Sequence, residues 1–166
     1  MQPPLSQPAP DLAPALPQPM ASALVAAALT LRSASPLTTL AILRGKRLAL
    51  LCETEPHMAA DLFCRAARAL GAEVSHVRPG LAEPALPAML RETARTLGRL
   101  YDGIECRGLA AAVVKGVRRD ACVPVFDDLA GEAHPTARLA ALLDGGETLE
   151  ARRLLIVEAV LMDALR

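Results

Sequence analysis

Short apolar runs alternate with amphipathic segments along most of the chain, and the two patterns predict different elements. An apolar run of about four to eight residues is typical of a buried strand, whereas apolar residues at intervals of three and four indicate a helix. The apolar runs predict four strands, at residues 47–52, 73–77, 103–106 and 122–126. The periodic segments predict helices at residues 20–32, 56–70, 87–100, 109–117, 134–143 and 149–165.

The order of these elements predicts the class of fold. Strands and helices alternate from residue 47 onward, which favours a parallel sheet because parallel neighbours need a long crossover connection. We therefore expect an α/β domain of three layers, in which a four-stranded parallel sheet has helices on both faces. In such sheets ligands bind beyond the carboxyl ends of the strands. Arg78, Arg107 and His134 follow the second, third and fourth predicted strands, so we expect them at that edge.

Each of these three residues also has an ordinary structural explanation. An arginine at a strand end usually belongs to a surface ion pair, and a histidine before a helical proline is usually a cap or a loop residue. The pattern alone therefore predicts a small α/β domain with an anion crevice as one alternative.

The junction after the first strand is unusual for an anion site. A strand that runs into a helix N-terminus often holds a phosphate, because the free backbone N–H groups and the helix dipole both favour an anion. Here the junction reads "ETEPH", which has two glutamates, a proline and no glycine-rich turn. The acid at this position opposes the binding of an anion.

Composition excludes several functional classes. The chain has 166 residues, 18 Lys and Arg, 18 Asp and Glu, and only 2% aromatic residues. A formal net charge of zero with no basic patch argues against nucleic acid and against a charged membrane surface. The four cysteines (Cys52, Cys64, Cys106 and Cys122) are widely spaced, so we expect no metal site, no cofactor and a reducing, cytoplasmic setting.

The N-terminal residues differ from the rest of the chain. Residues 1–19 hold seven of the 14 prolines and no lysine or arginine, which predicts a disordered tail and no secretory signal. The apolar stretch at residues 21–31 is too short to cross a bilayer.

Four segments together resemble the ornithine carbamoyltransferases. "ETARTLGRLYDGIECRG" (92–108) is similar to the family's "DTARVLGRMYDGIxxRG", and "LRGKRLALL" (43–51) resembles its opening strand. "FCRAARALGAEV" (63–74) resembles "FExAAxxLGAxV", and "VPVFDDLAGEAHPTARLAALL" (123–143) resembles "VPVxNGLTxxFHPTQxLADLL". The motif "YDGIECRG" is more similar to the ornithine branch of the family than to the aspartate branch. Order and spacing agree over roughly residues 40 to 147.

The resemblance implies a particular domain organisation. Residues 20–147 correspond to the family's carbamoyl-phosphate domain, and residues 148–166 resemble its closing helix, in which Arg153 matches an arginine. The family's amino-acid-binding domain lies between those two segments, and here they follow one another directly. The expected chain is therefore a tail (1–19), one carbamoyl-phosphate-type domain and a C-terminal helix that packs back on it.

The family's phosphate loop, Ser-Thr-Arg-Thr-Arg, aligns with Pro56, His57, Met58, Ala59 and Ala60. These side chains cannot grip phosphate, and Glu53 and Glu55 stand just before them. Hydrogen bonds to charged groups contribute roughly 1.5–3 kcal/mol each, so losing three or four lowers affinity by about three to six powers of ten.

Two family positions are retained. Arg107 matches the arginine that contacts carbamoyl phosphate, and His134 with Pro135 matches the His-Pro that polarises the carbamoyl carbonyl. The glutamine three residues after that histidine is replaced by Ala137. Ligand contacts are therefore expected, if anywhere, at Arg107, His134 and Arg153, beside a remodelled loop at Glu53, Glu55, Pro56, His57 and Met58.

The sequence leaves three functional hypotheses. The first is a non-catalytic relative in arginine metabolism that acts by association, as a homotrimer or with a full-length carbamoyltransferase or another enzyme of the pathway. The second is a protein that binds a small carboxylate or phosphate through Arg107, His134, His57 and Arg153. The third is an enzyme with altered chemistry, in which His57 or His134 is a base, or with residual carbamoyl transfer.

Overall fold

The computed structural model describes residues 16–58, 61–80 and 87–166. Its first element is helix α1 (Gln18–Ser33), which is followed at once by the short helix α2 (Pro36–Leu40). The Ser35 side chain accepts a hydrogen bond from the backbone N–H of Thr38 and so caps α2. The sequence pattern predicts α1 but treats residues 33–36 as a loop, and it misses α2. Because α1 begins at Gln18, the segment predicted as a tail overlaps the helix, and residues 1–15 lie outside the described part.

Four parallel strands form one sheet, in the order β2–β1–β3–β4. Their bounds are β1 Arg47–Leu51, β2 Glu73–Val77, β3 Gly103–Cys106 and β4 Val125–Asp127. Leu48 of β1 pairs with Val74 on one side and with Gly103 on the other. Both neighbours run parallel to β1, so the expected class of fold is confirmed.

The remaining helices connect and cover the strands. They are α3 Leu62–Ala69, α4 Pro87–Leu100, α5 Ala111–Asp120, a 3₁₀ helix Pro135–Leu142 and α6 Leu149–Leu165. The bounds of α4 and α6 match the sequence prediction, whereas α5 starts two residues later and β4 three residues later than predicted. The segment predicted as an α-helix at 134–143 is a 3₁₀ helix with His134 as its N-cap.

The two faces of the sheet have separate cores. Leu48 and Leu50 of β1 are fully buried against α1, α3, α6 and the 3₁₀ helix, whereas Ala49 and Leu51 face α4 and α5. Alternate residues of a strand point to opposite faces, so one strand supplies both cores. Burying a leucine side chain contributes about 1.5–3 kcal/mol relative to leaving it exposed, so β1 is the centre of the fold.

Helix α6 packs against α1, α3 and the 3₁₀ helix. Its buried side chains include Ile156 and Leu161, and Glu158 is buried beside them. No helix within residues 16–58, 61–80 and 87–166 is both long enough and apolar enough to cross a membrane.

Candidate functional site

The loops after β1, β3 and β4 end at the same edge of the sheet, because the strands are parallel. Arg107 comes directly after β3, and its backbone N–H donates to the carbonyl oxygen of Leu51 at 3.0 Å. Asp128 comes directly after β4, and its N–H donates to the carbonyl oxygen of Cys106 at 2.8 Å. These two backbone hydrogen bonds continue the pairing of the sheet by one residue. They fix the first residue of each loop and bring the Arg107 and Asp128 side chains together.

The guanidinium of Arg107 lies close to three carboxyl groups of its own chain. Nη1 donates to Asp61 in a very short contact, and Nη2 lies 3.4 Å from the other Asp61 oxygen. Nη2 also lies 3.8 Å from Glu105 Oε1, and Nε lies 3.6 Å from Asp128 Oδ1. The Arg107 side chain is 24% exposed, so most of its surface is already in contact with the protein. We call Arg107, Asp61, Glu105 and Asp128 the Arg107 cluster.

Asp61 also occupies the N-terminus of α3. Its Oδ1 accepts a hydrogen bond from the backbone N–H of Cys64 at 3.0 Å, which makes it the helix N-cap. Burial alone would raise the pKa of Asp61, but the hydrogen bonds from Arg107 and Cys64 outweigh it and hold the pKa below its usual range. A carboxylate of the chain therefore satisfies both the helix terminus and the arginine.

Glu105 is the buried member of the cluster. It lies in the middle of β3 with no exposed surface, and its Oε1 accepts from the backbone N–H of Leu129 at 3.0 Å. Within the described residues its Oε2 has no hydrogen-bond partner. Burial raises the pKa of Glu105 to about 8, although Arg107 opposes this shift. At neutral pH the Glu105 carboxyl is therefore mainly protonated, and Asp61 and Asp128 supply the negative charge around Arg107.

The remodelled loop after β1 extends away from these contacts. Glu53, Glu55 and His57 are exposed, and Pro56 and Met58 are half-buried. The Sδ of Met58 lies 3.6 Å from the thiol of Cys64, so this residue anchors the loop to α3. None of the five side chains contacts Arg107 among the described interactions.

The helix after this loop begins later than the sequence pattern predicts. Residues 56–61 are not helical where they are described, and α3 starts at Leu62. The physical reason is the capping carboxylate of Asp61, which bonds to the backbone N–H three residues later and marks the helix start. The aligned positions Ala59 and Ala60 lie outside the described residues.

His134 has a structural role in this geometry. Its Nδ1 accepts from the backbone N–H of Thr136 at 3.3 Å and lies 2.7 Å from the Thr136 hydroxyl, which caps the 3₁₀ helix. Burial lowers the pKa of His134, although Asp128 and Asp127 oppose the shift. His134 also lines a cavity of about 610 Å³ with Asp127, Asp128 and Arg118. Asp128 therefore belongs both to the Arg107 cluster and to the cavity that His134 lines.

The other two predicted arginines lie apart from the cluster. Arg153 of α6 donates to the carbonyl oxygen of Ala130 at 2.5 Å and pairs with Glu132 at 3.6 Å. It therefore holds the loop after β4 against the last helix. Arg78 is exposed and takes part in none of the described salt bridges or side-chain hydrogen bonds.

Sequence reasoning missed the three carboxylates of the Arg107 cluster. The position of Asp61 as a helix N-cap was predictable, because an aspartate directly before an amphipathic run is typical of an N-cap. Glu105 and Asp128 stand in strands or at strand ends, and no local pattern shows that their side chains face Arg107. In the described part of the chain, no group of three His, Cys, Asp or Glu side chains is arranged to hold a metal ion.

The architecture is a parallel α/β domain in which charged side chains gather at the carboxyl ends of β1, β3 and β4. The chain is 40% identical to the ornithine carbamoyltransferase of Haemophilus influenzae (strain PittGG) over 101 residues, which is 61% of this chain and 30% of that protein. It also matches the crystal structure of ornithine carbamoyltransferase from Gloeobacter violaceus with a TM-score of 0.52 and 29% identity, covering 74% of this chain and 38% of that one.

The chain is therefore similar, over 61% of its length in one comparison and 74% in the other, to part of an ornithine carbamoyltransferase. The ornithine carbamoyltransferase from Pyrococcus furiosus has the same fold, with a TM-score of 0.59 over 75% of this chain and 40% of that one at 21% identity. The chain spans about 30% of the length of the curated relative from Haemophilus influenzae. No family model matches the chain.

Proposed function

We propose that the protein is a non-catalytic member of its family that acts by associating with other subunits. The observation that carries this proposal is the contact between Arg107 and Asp61. The arginine that the family resemblance assigns to carbamoyl phosphate is paired with a carboxylate, and that carboxylate also caps the helix that would face the phosphate.

An incoming phosphate must therefore displace a group that is already in place. Asp61 gives Arg107 a charge-assisted contact and gives α3 its N-terminal hydrogen bond, which are the two interactions that a phosphate would use. Hydrogen bonds to charged groups contribute about 1.5–3 kcal/mol each, so breaking both costs a phosphate much of what it gains. Displaced Asp61 would also remain near the ligand as a like charge.

The loop after β1 adds no compensating contact. Its exposed side chains include Glu53 and Glu55, which are negative, and Pro56 has no backbone N–H to donate. His57 is the one described side chain between residues 53 and 58 that can become cationic. These features support a crevice without catalytic function toward carbamoyl phosphate.

Association remains as the function that the retained framework supports. We propose that residues 20–147 form a carbamoyl-phosphate-type domain and that residues 148–166 complete it, in a cytoplasmic protein of arginine metabolism. The assembly is a homotrimer or a complex with a full-length carbamoyltransferase. Leu37 is 82% exposed and Leu40 is 46% exposed on the same short helix, which supports a contact surface there.

Light scattering after size-exclusion chromatography tests this proposal, with and without a purified ornithine carbamoyltransferase. We expect an oligomer of the chain or a mixed complex, together with no carbamoyl transfer to ornithine above the uncatalysed rate. A chain that is monomeric at all concentrations and does not bind the carbamoyltransferase contradicts the proposal that it acts by association. Carbamoyl transfer that disappears in Arg107→Gln contradicts the absence of catalysis.

A second function is favoured by the cavity beside β4. It holds about 610 Å³ and is lined by His134, Asp127, Asp128 and Arg118, so it offers both signs of charge beside apolar side chains. We propose a small carboxylate or phosphate compound as the alternative ligand there. Isothermal titration with phosphate and with small carboxylates tests it, and His134→Ala is the matched variant. Absence of heat at millimolar concentration argues against this function.

A further inference from the structure

Three arginines form a row along α4. Arg91, Arg95 and Arg99 recur every four residues, so their side chains lie on one face at intervals of about 6 Å along the axis. All three are exposed, and they line a groove of about 420 Å³. The salt bridges found in the described residues include none of them. We call these residues the α4 arginine row.

Helix α5 extends the positive charge beside this row. Two glycines show that these helices approach closely. A Cβ on Gly98 of α4 would lie 1.8 Å from the carbonyl oxygen of Ala121, and a Cβ on Gly116 of α5 would lie 2.5 Å from the Leu90 side chain. Together α4 and α5 carry six cationic side chains and two carboxylates, in a chain whose formal net charge is zero. One of those carboxylates, Asp120, pairs with Arg119 of its own helix at 2.6 Å. The added cations of α5 are Lys115, Arg118 and Arg119.

The groove along α4 carries an excess of positive charge, because its lining has three arginines and one carboxylate, Glu92. Like charges four residues apart on a helix repel each other and destabilise it. A guanidinium also prefers a carboxylate as a planar partner, with two parallel hydrogen bonds. A carboxylate-bearing segment laid along α4 would relieve the repulsion and satisfy the donors.

The loop after β1 of the same chain carries a matching pair of acidic side chains. Glu53 and Glu55 are exposed in the loop after β1, and neither forms a salt bridge among the described residues. In a non-helical segment, side chains two residues apart are separated by up to about 7 Å. This separation fits the interval of about 6 Å between successive arginines of the row.

We propose that Glu53 and Glu55 of one copy pair with the α4 arginine row of a second copy. The inference rests on the proposed self-association and names the surfaces that form it. Because the two surfaces differ, the contact joins copies head to tail, and such contacts generate a closed ring when the rotation between copies closes. The acid at the mouth of the crevice then has a function, which is to recognise the next subunit.

Opposite charge reversals test this pairing. One variant carries Arg91→Glu and Arg95→Glu, and the other carries Glu53→Arg and Glu55→Arg. A matched control carries Arg44→Glu and Arg138→Glu, which changes the same number of exposed arginines elsewhere. Sedimentation equilibrium gives the self-association constant of each, and circular dichroism checks that each is folded.

We expect each interface variant alone to self-associate at least about tenfold more weakly than the native chain. The equimolar mixture of the two should regain association through reversed pairs, and the control should behave like the native chain. Unchanged association of the Arg91→Glu, Arg95→Glu variant overturns this pairing but leaves the proposed function standing, because the copies then meet elsewhere. A mixture of folded variants that stays dissociated also overturns it. A native chain that is monomeric at all concentrations overturns the pairing, and it overturns the proposed function as well if it does not bind the carbamoyltransferase.

Discussion

Two groups of arginines on this molecule have opposite surroundings. Arg107 lies at the carboxyl edge of the sheet among Asp61, Glu105 and Asp128, and its side chain is 24% exposed. The α4 arginine row lies on the surface of a helix and takes part in none of the described salt bridges. Arg107, to which the family resemblance assigns a ligand, is neutralised by carboxylates of its own chain, whereas the α4 arginine row lies where the resemblance assigns no ligand.

The comparison shows that an arginine at a family position does not by itself define an anion site. Its availability depends on the groups that already contact it, and at Arg107 those groups are the chain's own carboxylates. The α4 arginine row keeps most of its charge available, because three arginines share a groove whose lining has one carboxylate, Glu92. The predictions below test the difference between these two environments.

The largest expected effect is on stability when Arg107 is replaced. Arg107→Met leaves Asp61 and Asp128 without their cation in a partly buried site, and removing one partner of such a network costs about 2–4 kcal/mol of the free energy of unfolding. Arg95→Met on the exposed face of α4 should change it by at most about 0.5 kcal/mol. Urea unfolding measures both, and equal losses for the two variants would remove the distinction between the environments.

Asp61 should show a smaller effect that separates its two roles. Asp61→Ala removes both the helix cap and the charge, and we expect a loss of about 1–2 kcal/mol. Asp61→Asn keeps a good cap and removes only the charge, so it should cost less than Asp61→Ala and leave Arg107 freer to bind phosphate. Urea unfolding together with phosphate titration separates the roles, and identical behaviour of the two variants contradicts them.

Buried carboxyls should make stability depend on pH. Burial raises the pKa of Glu105 to about 8 and that of Glu158 to about 7. A carboxyl whose pKa is raised by folding binds its proton more tightly in the folded state, so its contribution to stability is present at low pH and is lost as pH rises through the folded pKa. We therefore expect the free energy of unfolding to fall by roughly 3–4 kcal/mol between pH 6 and pH 8.

The matched variants for this prediction are Glu105→Gln and Glu158→Gln. Each should flatten part of the decline, because an amide does not titrate in this range. Replacing Arg95 in the α4 arginine row should leave the pH profile unchanged. A native profile that rises between pH 6.5 and pH 8 would contradict the raised pKa values.

Salt should give the smallest effect and separate the two groups again. The Debye length falls from about 10 Å at 0.1 M to about 3 Å at 1 M salt, so exposed charges are screened. We expect self-association to weaken several-fold between about 0.05 and 0.5 M sodium chloride, whereas the stability difference between Arg107→Met and the native chain should change little. Association that strengthens with salt would point to an apolar contact instead.

The strands and the helices α4 and α6 could be predicted from the sequence, because each has a local sequence pattern. The strand β1 is mostly a short apolar run, and α4 begins with Pro87 and repeats apolar residues at helical spacing, so their positions were predictable. The 3₁₀ helix after His134 has the same local pattern as an α-helix, and the pattern does not separate the two.

The Arg107 cluster was not predictable because its contacts are distant in sequence. Arg107 and Asp61 are separated by 46 residues, and the loop and strand between them set their approach. The alignment with the family loop indicated which phosphate contacts were absent. It did not indicate that a carboxylate of the chain had taken a position on Arg107 and on the start of α3.

The most direct test of the central claim is a calorimetric titration of carbamoyl phosphate into the native chain at pH 7. If Asp61 and Asp128 neutralise Arg107, the dissociation constant should be weaker than about 1 mM, which corresponds to less than about 4.1 kcal/mol of binding free energy. A micromolar dissociation constant that is lost in Arg107→Gln would contradict the claim, because it would show that the arginine is still available to the phosphate.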